Sequence, residues 1–133
     1  MKILFLVISA LLLLFIIIQS FTVMSTQKAE LQKYTAIHTD KEFEIRFYPA
    51  ATFATIHSDA KTYKELSGPG FRKLAGYIFG GNASETKISM TSPVQMDIND
   101  SLSEMSFVMP SEYNLDNLPR PKDSQIIIHN SNE

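Results

Sequence analysis

The residues in this sequence that are best suited to chemistry are its three histidines, each of which could bind a metal ion. His38, His57 and His129 are far apart, and no two of them have the His-x-x-x-His spacing that places both rings on one helix face. His57 falls within a predicted strand, where it can face the core, and it is a weak candidate for a metal ligand. The chain contains no cysteine, which excludes thiolate nucleophiles, disulfides and cysteine metal sites. The sequence therefore predicts no metal site, and His57 is the one candidate ligand that it offers.

Catalytic arrangements are equally hard to place. No combination of serine, histidine and acid can be assembled, and no carboxylate pair stands out among the 14 acidic residues. The glycines around Pro69 and the pair Gly80 and Gly81 lack the strand-then-helix context of a phosphate-binding loop. These observations predict that the protein is not an enzyme.

Four methionines lie close together in the sequence: Met90, Met96, Met105 and Met109. A thioether can bind a metal, but methionine is more often an adaptable packing residue in cores and at binding surfaces. We therefore interpret this cluster mainly as packing.

An amphipathic helix is predicted in the middle of the chain. Phe71, Leu74 and Ile78 recur at i, i+3 and i+7, which places them on one helical face. Pro69 suits the first turn of this helix, so an earlier helical segment is expected to end near Leu66. Two glycines follow the last periodic residue and match a helix C-terminus.

Strands are predicted on both sides of this helix. Apolar and polar residues alternate in Lys41–Arg46, and Ala51–Ser58 continues as a second strand. Ile88–Ile98 and Leu102–Met109 are predicted to form a β-hairpin, and Gln125–His129 is a final strand. The predicted fold class is α+β, with an antiparallel sheet and one packed helix.

The N-terminal segment differs from the rest of the chain. Lys2 is followed by an apolar run from Ile3 to Ile18 that only one serine interrupts, which is typical of an export signal or a membrane anchor. Lys2 favours a cytoplasmic N-terminus, so the domain is expected on the extracytoplasmic side of a membrane. The predicted organisation is a signal peptide or anchor at 1–25, a polar linker at 26–40 and a domain at 41–133. The formal net charge of −2 gives no electrostatic basis for binding nucleic acid.

Five segments of the chain together carry a family resemblance. The segment from Gly70 to Asn82, with Gly-Phe-x-x-Leu-x-x-Tyr-Ile-x-Gly-x-Asn, is followed by Lys-Ile-x-Met-Thr-x-Pro-Val from Lys87 to Val94. Phe43–Pro49 and Met105–Pro110 have the expected order and spacing around them, and a proline-containing loop at residues 118–121 comes after them. Over roughly residues 42 to 129 the chain resembles the SOUL family of haem-binding proteins.

This resemblance implies a particular fold. SOUL-like domains consist of two β-α-β-β repeats around a pseudo-twofold axis, and they are similar to bacterial effector-binding domains. The chain supplies the first repeat and only the first strand of the second, so it is expected to be either a truncated form of the domain or an unusual short member, with the second repeat largely absent.

The resemblance also implies a ligand and a site. It implies that haem or another tetrapyrrole binds in a hydrophobic groove beside the helix, where basic residues meet the propionates. The candidate haem-binding residues are Arg46, Phe71, Leu74, Tyr77, Ile78, Lys87 and Met90. Some family members carry a histidine directly after the arginine of the opening strand, and this chain has Phe47 there. The alternative is a small-ligand or protein-interaction module of the same fold that does not use haem.

Overall fold

The computed structural model describes residues 2–26 and 29–131. An N-terminal helix, α1 (Lys2–Thr26), contains the apolar run, and every side chain of α1 that is described is exposed. No helix formed by the described residues combines the length and the apolarity that crossing a membrane requires. The segments predicted from the sequence also include five residues that lie outside the described ones: Met1, Gln27, Lys28, Asn132 and Glu133.

The remainder of the described chain contains a second helix, α2 (Tyr63–Ile78), and eight strands. In chain order the strands are β1 (Glu30–Leu31), β2 (Thr35–Thr39), β3 (Glu44–Phe47), β4 (Thr52–Ser58), β5 (Thr91–Ser92), β6 (Val94–Asp97), β7 (Ser103–Val108) and β8 (Ile126–Asn130). The main sheet has four antiparallel strands in the order β6-β7-β4-β8. The α+β class, the β6–β7 hairpin and the final strand were each predicted from the sequence and are confirmed.

One face of the main sheet forms the core against α2. Strand alternation directs Ala54 and Ile56 of β4 toward the helix, and Met105 and Phe107 of β7 lie beside them in the same buried cluster. Gly70 allows this close approach, because a Cβ at this position would lie 3.1 Å from both Ile56 Cδ1 and Met105 Sδ. Burial of this apolar face is the main force that holds the helix on the sheet.

The opposite face of the sheet is more polar. Thr55 is 1% exposed, and its Oγ1 lies 2.7 Å from Ser106 Oγ and 2.9 Å from His129 Nε2. The ring of Phe53 stacks on that of His129 with a centroid separation of 5.9 Å. These bonds satisfy the polar groups between neighbouring strands, as burial requires.

Helix α2 begins earlier than the sequence predicted. Its N-cap is Thr62, whose side chain accepts a hydrogen bond from the backbone N–H of Glu65, and the helix continues through Pro69. The prediction that a new helix starts at Pro69 is therefore wrong. The residue before a proline normally avoids helical geometry because its Cβ meets the proline ring, and Gly68 has no Cβ. Packing of the apolar residues on both sides of Pro69 then keeps one continuous helix.

The end of α2 agrees with the glycine signal. Ile78 is the last helical residue, and Gly80 adopts a φ of 112°, a region that residues with a Cβ rarely occupy. The loop that follows folds around Asn82, which is fully buried. Asn82 Nδ2 donates to the carbonyl oxygens of Tyr77 at 3.0 Å and Thr86 at 2.7 Å, while its Oδ1 accepts from Thr86 N–H.

The region predicted as a polar linker contains two strands. β2 pairs with β3 in an antiparallel hairpin that bulges between Ala36 and His38, and β1 pairs in parallel with β5. The linker prediction for residues 26–40 is therefore corrected from residue 30 onward. Local alternation is weak in this stretch because the β2–β3 hairpin buries neither face, and its residues are exposed throughout. The pairing partners come from later in the chain, which local sequence does not indicate.

Candidate functional site

The candidate functional site is a groove between α2 and the β6–β7 hairpin, with a volume of about 650 Å³. We call it the helix groove. The residues that line it are Tyr63, Ser67, Gly68, Phe71 and Arg72 of α2, Val94 and Met96 of β6, and Met105 of β7. Helix periodicity explains one wall, because Tyr63, Ser67 and Phe71 are spaced at i, i+4 and i+8. Strand pairing explains the other wall, since Met96 and Met105 are directly opposite each other.

The surface of the groove is largely apolar and aromatic. Phe71 is 39% exposed and packs edge-on against Phe107, with ring centroids 5.3 Å apart and an interplanar angle of 60°. Tyr63 is 68% exposed at the same wall. A groove of this size and lining can bury the apolar body of a flat organic ligand.

Arg72 supplies positive charge at the groove. Its side chain is exposed, and no described residue forms an ion pair with it. A guanidinium can bind a carboxylate through two parallel hydrogen bonds. The groove therefore combines an apolar surface with a single arginine suited to an acidic edge of a ligand.

The candidate residues predicted on the helix are divided between the groove and the core. Phe71 lines the groove, whereas Leu74, Tyr77 and Ile78 are between 0% and 1% exposed in the main core cluster. The hydroxyl of Tyr77 donates a 2.7 Å hydrogen bond to the carbonyl oxygen of Pro119. Burial, with a smaller effect of Tyr113, raises the pKa of Tyr77 to about 12, so this hydroxyl stays protonated at neutral pH.

The remaining candidate residues lie away from the groove lining. Arg46 is on β3, where it forms a 2.8 Å ion pair with Glu44 and lies 4.2 Å from the centroid of the Tyr34 ring. Its hydrogen bonds to Glu44 and then Tyr48 raise its pKa above the usual value. Lys87 is exposed in the loop after α2, and Met90 is partly buried against the core cluster. The structure therefore does not bring these three residues together with Phe71 in one cavity.

His57 faces away from the helix groove. It neighbours the core residue Ile56 on β4, so strand alternation directs its ring to the opposite face of the sheet. There the ring is exposed, and its Nδ1 lies 3.8 Å from a carboxylate oxygen of Glu104. Among the described residues, no group of three or more metal-binding side chains comes together.

Sequence reasoning did not select several residues of the groove. Met96 and Met105 were interpreted mainly as packing residues, and neither Tyr63 nor Arg72 is among the candidate haem-binding residues predicted from the sequence. The sequence did contain a signal for this wall of the groove: Tyr63, Ser67 and Phe71 are spaced at i, i+4 and i+8. They form a second stripe of α2 that lies beside its core face. Only the position of the hairpin shows that this second stripe faces a cavity.

Comparisons with known proteins agree with the fold and the motifs. A family model described as "SOUL heme-binding protein" matches residues 29–133. The protein "Heme-binding protein 2" of Homo sapiens is 33% identical over 98 residues, which are 68% of this chain and 47% of that protein. "Heme-binding protein 2" of Mus musculus matches with the same identity and the same shares. The chain thus spans about half the length of the curated relatives it matches.

Proposed function

This chain belongs to the SOUL haem-binding protein family, and from that premise we propose that it binds haem or a related tetrapyrrole in the helix groove. In this proposal it is a carrier, buffer or sensor and performs no catalysis of its own. The single observation that carries the assignment of the site is the groove of about 650 Å³ between α2 and the β6–β7 hairpin.

The residues of the groove fit such a ligand. Phe71 and Met96 offer an apolar surface against which the porphyrin plane can be buried, a favourable transfer from water. Arg72 is placed to hold a propionate, which is the acidic edge of the tetrapyrrole. The ring stays flat and rigid when it binds, so little conformational entropy opposes the association.

Histidine ligation has no support within this groove. None of the residues that line it is a histidine, while the partly buried Met96 carries a thioether, a group that can ligate haem iron. Bound haem would supply the redox and ligand chemistry of its iron. The protein's own contribution would be to bury the ring and to fix its carboxylates.

The extracytoplasmic location belongs to the same proposal and depends on the sequence alone. The apolar run in residues 3–18 after Lys2 supports an export signal. Expression with its own N-terminus, followed by fractionation and intact-mass measurement, tests this. Recovery of the unprocessed chain in the cytoplasm alone would argue against export.

A haemin titration of the full chain tests the proposed function. The protein has no tryptophan, so Tyr63→Trp introduces a single fluorescent reporter on the groove, and Phe43→Trp introduces a matched reporter on the loop before β3. We expect saturable one-to-one binding in the micromolar range or tighter, with stronger quenching of the Tyr63→Trp reporter. Non-saturating, aggregate-like Soret absorbance would contradict the proposal and favour the alternative module that does not use haem.

Substitutions then distinguish the helix groove from the other candidate residues. Phe71→Ala and Arg72→Gln should each weaken haemin binding about tenfold, equivalent to about 1.4 kcal/mol. Arg46→Gln should leave the affinity unchanged, because this guanidinium is paired with Glu44 outside the groove. If Arg46→Gln weakens binding and Arg72→Gln does not, the ligand binds elsewhere than in the helix groove.

A further inference from the structure

A second cavity, of about 400 Å³, lies at the end of the main sheet. We call it the strand-end cavity. Its walls come from β1 and the residues after it, from the chain that enters β4 and from the chain that leaves β7, and it shares no lining residue with the helix groove. Its volume is within the range of small-molecule sites, and it has polar groups at defined positions on two walls.

One wall presents hydrogen-bond acceptors. The pairing of β1 continues to Gln32, whose backbone N–H donates to Ser92 O at 2.9 Å. Glu30 and Gln32 are two residues apart, so both side chains lie on the same side of this extended strand, where they line the cavity. The Glu30 carboxylate accepts hydrogen bonds from the backbone N–H of Ser111 at 3.1 and 3.3 Å and retains further acceptor capacity. Gln32 Oε1 is buried, and no described residue donates a hydrogen bond to it. A buried acceptor without a donor is unusual in a folded protein and indicates a missing partner.

Two asparagines of the lining present hydrogen-bond donors. Asn130 Oδ1 accepts a hydrogen bond from the Thr52 hydroxyl at 3.0 Å, so the amide nitrogen is the group left available. Asn114 Oδ1 likewise accepts from two backbone N–H groups of its own turn, at 2.9 and 3.1 Å. No described residue accepts a hydrogen bond from either amide nitrogen. Lys33 adds a positive charge to the cavity, and Val108 contributes an apolar surface.

We propose that the strand-end cavity binds a small zwitterion of the amino-acid or dipeptide type. The ammonium group of the ligand donates to Glu30 and Gln32, and its carboxylate accepts from Lys33 and the two asparagine amides. This arrangement matches the buried acceptor of Gln32 with a charged donor, and it pairs each charge of the ligand with an opposite charge of the protein. The site is independent of the haem groove.

Calorimetric titration of the full chain with alanyl-alanine tests this proposal. We expect saturable binding with a dissociation constant in the millimolar range or tighter. N-acetyl-alanyl-alanine lacks the ammonium group and alanyl-alanine amide lacks the carboxylate, so each should bind about tenfold more weakly if both charges are recognised. Equal binding of the blocked and free dipeptides, or no saturable heat from any of them, would overturn the proposal.

Two variants locate the binding. Gln32→Met removes the buried acceptor at similar volume, and it should weaken alanyl-alanine binding about fivefold or more. Lys33→Gln changes an exposed side chain, so it should weaken alanyl-alanine binding to a similar extent without affecting the fold. Its matched control is Lys64→Gln on α2, which should leave alanyl-alanine binding unchanged. Wild-type affinity in both cavity variants would contradict the assignment. Haemin should not compete with the dipeptide, so this test and that of the haem groove can fail separately.

Discussion

At the scale of single residues, Asn82 shows how one side chain can organise a loop. Its amide makes three hydrogen bonds to the backbone, two to residue Thr86 and one to Tyr77 at the end of α2. The sequence Asn82-Ala83-Ser84 also has the form of a glycosylation acceptor. Because the side chain is fully buried and its Nδ2 is engaged, its role in the folded protein is structural.

Replacing Asn82 with alanine should destabilise the protein strongly. The change removes three hydrogen bonds that a fully buried side chain makes to the backbone of Tyr77 and Thr86, and we expect a loss of about 3 kcal/mol in the free energy of unfolding. Urea denaturation measures this loss. The matched control is Asn99→Ala. The exposed side chain of Asn99 accepts hydrogen bonds from the backbone N–H groups of Ser101 and Leu102 in a turn. We expect this control to lower the free energy of unfolding by about 1 kcal/mol or less. Equal effects of the two substitutions would refute a special role for Asn82.

The raised pKa of Tyr77 predicts a pH dependence of stability. Burial raises this pKa to about 12 in the folded protein, whereas an unfolded tyrosine titrates near 10. Between these values the unfolded chain binds fewer protons than the folded one, so the contribution of Tyr77 is present below pH 10 and is lost as pH rises toward 12. Urea denaturation from pH 9 to 11 should show this decline, and Tyr77→Phe should reduce its slope. An unchanged slope in the variant would assign the decline to other groups.

At the scale of elements, α2 supplies both the core and the groove from adjacent stripes. Leu66, Leu74 and Ile78 face the sheet, and the stripe of Tyr63 and Phe71 beside them remains partly exposed. The β6–β7 hairpin closes the other side of the groove, with a loop in which Asn99 Oδ1 accepts hydrogen bonds from the next residues. The geometry of the groove therefore depends on how the helix and the hairpin pack on the same sheet.

Proline within α2 predicts that this helix can be stabilised. Pro69 lacks the N–H that would donate to the carbonyl oxygen of Glu65, so Pro69→Ala should restore a helical hydrogen bond. We expect the free energy of unfolding to rise by about 1 to 2 kcal/mol. Removal of proline from the helix interior is favourable, but part of this gain is lost because the unfolded variant has greater conformational entropy. Thermal and urea unfolding measure the change, with Ser67→Ala as a control on the same helix. A loss of stability would mean that the proline ring makes packing contacts that outweigh the missing bond.

At the scale of the whole molecule, stability is unevenly distributed. The central strands β4 and β7 are largely buried, whereas the β2–β3 hairpin has every residue exposed. Its apolar side chains Phe43, Ile45 and Phe47 are between 42% and 55% exposed. A two-stranded sheet that buries no face is only marginally stable in water.

Native-state hydrogen exchange should reveal this difference. Amides of β2 and β3 should exchange through local opening well before those of β4 and β7, which should exchange only on global unfolding. Mass spectrometry of peptic fragments or NMR can follow both regions in the full chain. Equal protection in the two sheets would show that the hairpin is held by contacts that its exposure does not reveal.

The sequence by itself determined the α+β class, the helix that ends before Gly80, the β6–β7 hairpin and the family. These features depend on local signals, such as periodicity, glycine positions and spaced motifs, which operate over a few residues. Only the tertiary structure decided that Leu74 and Tyr77 belong to the core while Arg72 and Met96 line the groove. Two adjacent stripes of one helix look alike in sequence, and the partner that covers each stripe comes from a distant part of the chain. The pairing of β1 with β5 depends in the same way on contacts between residues far apart in sequence.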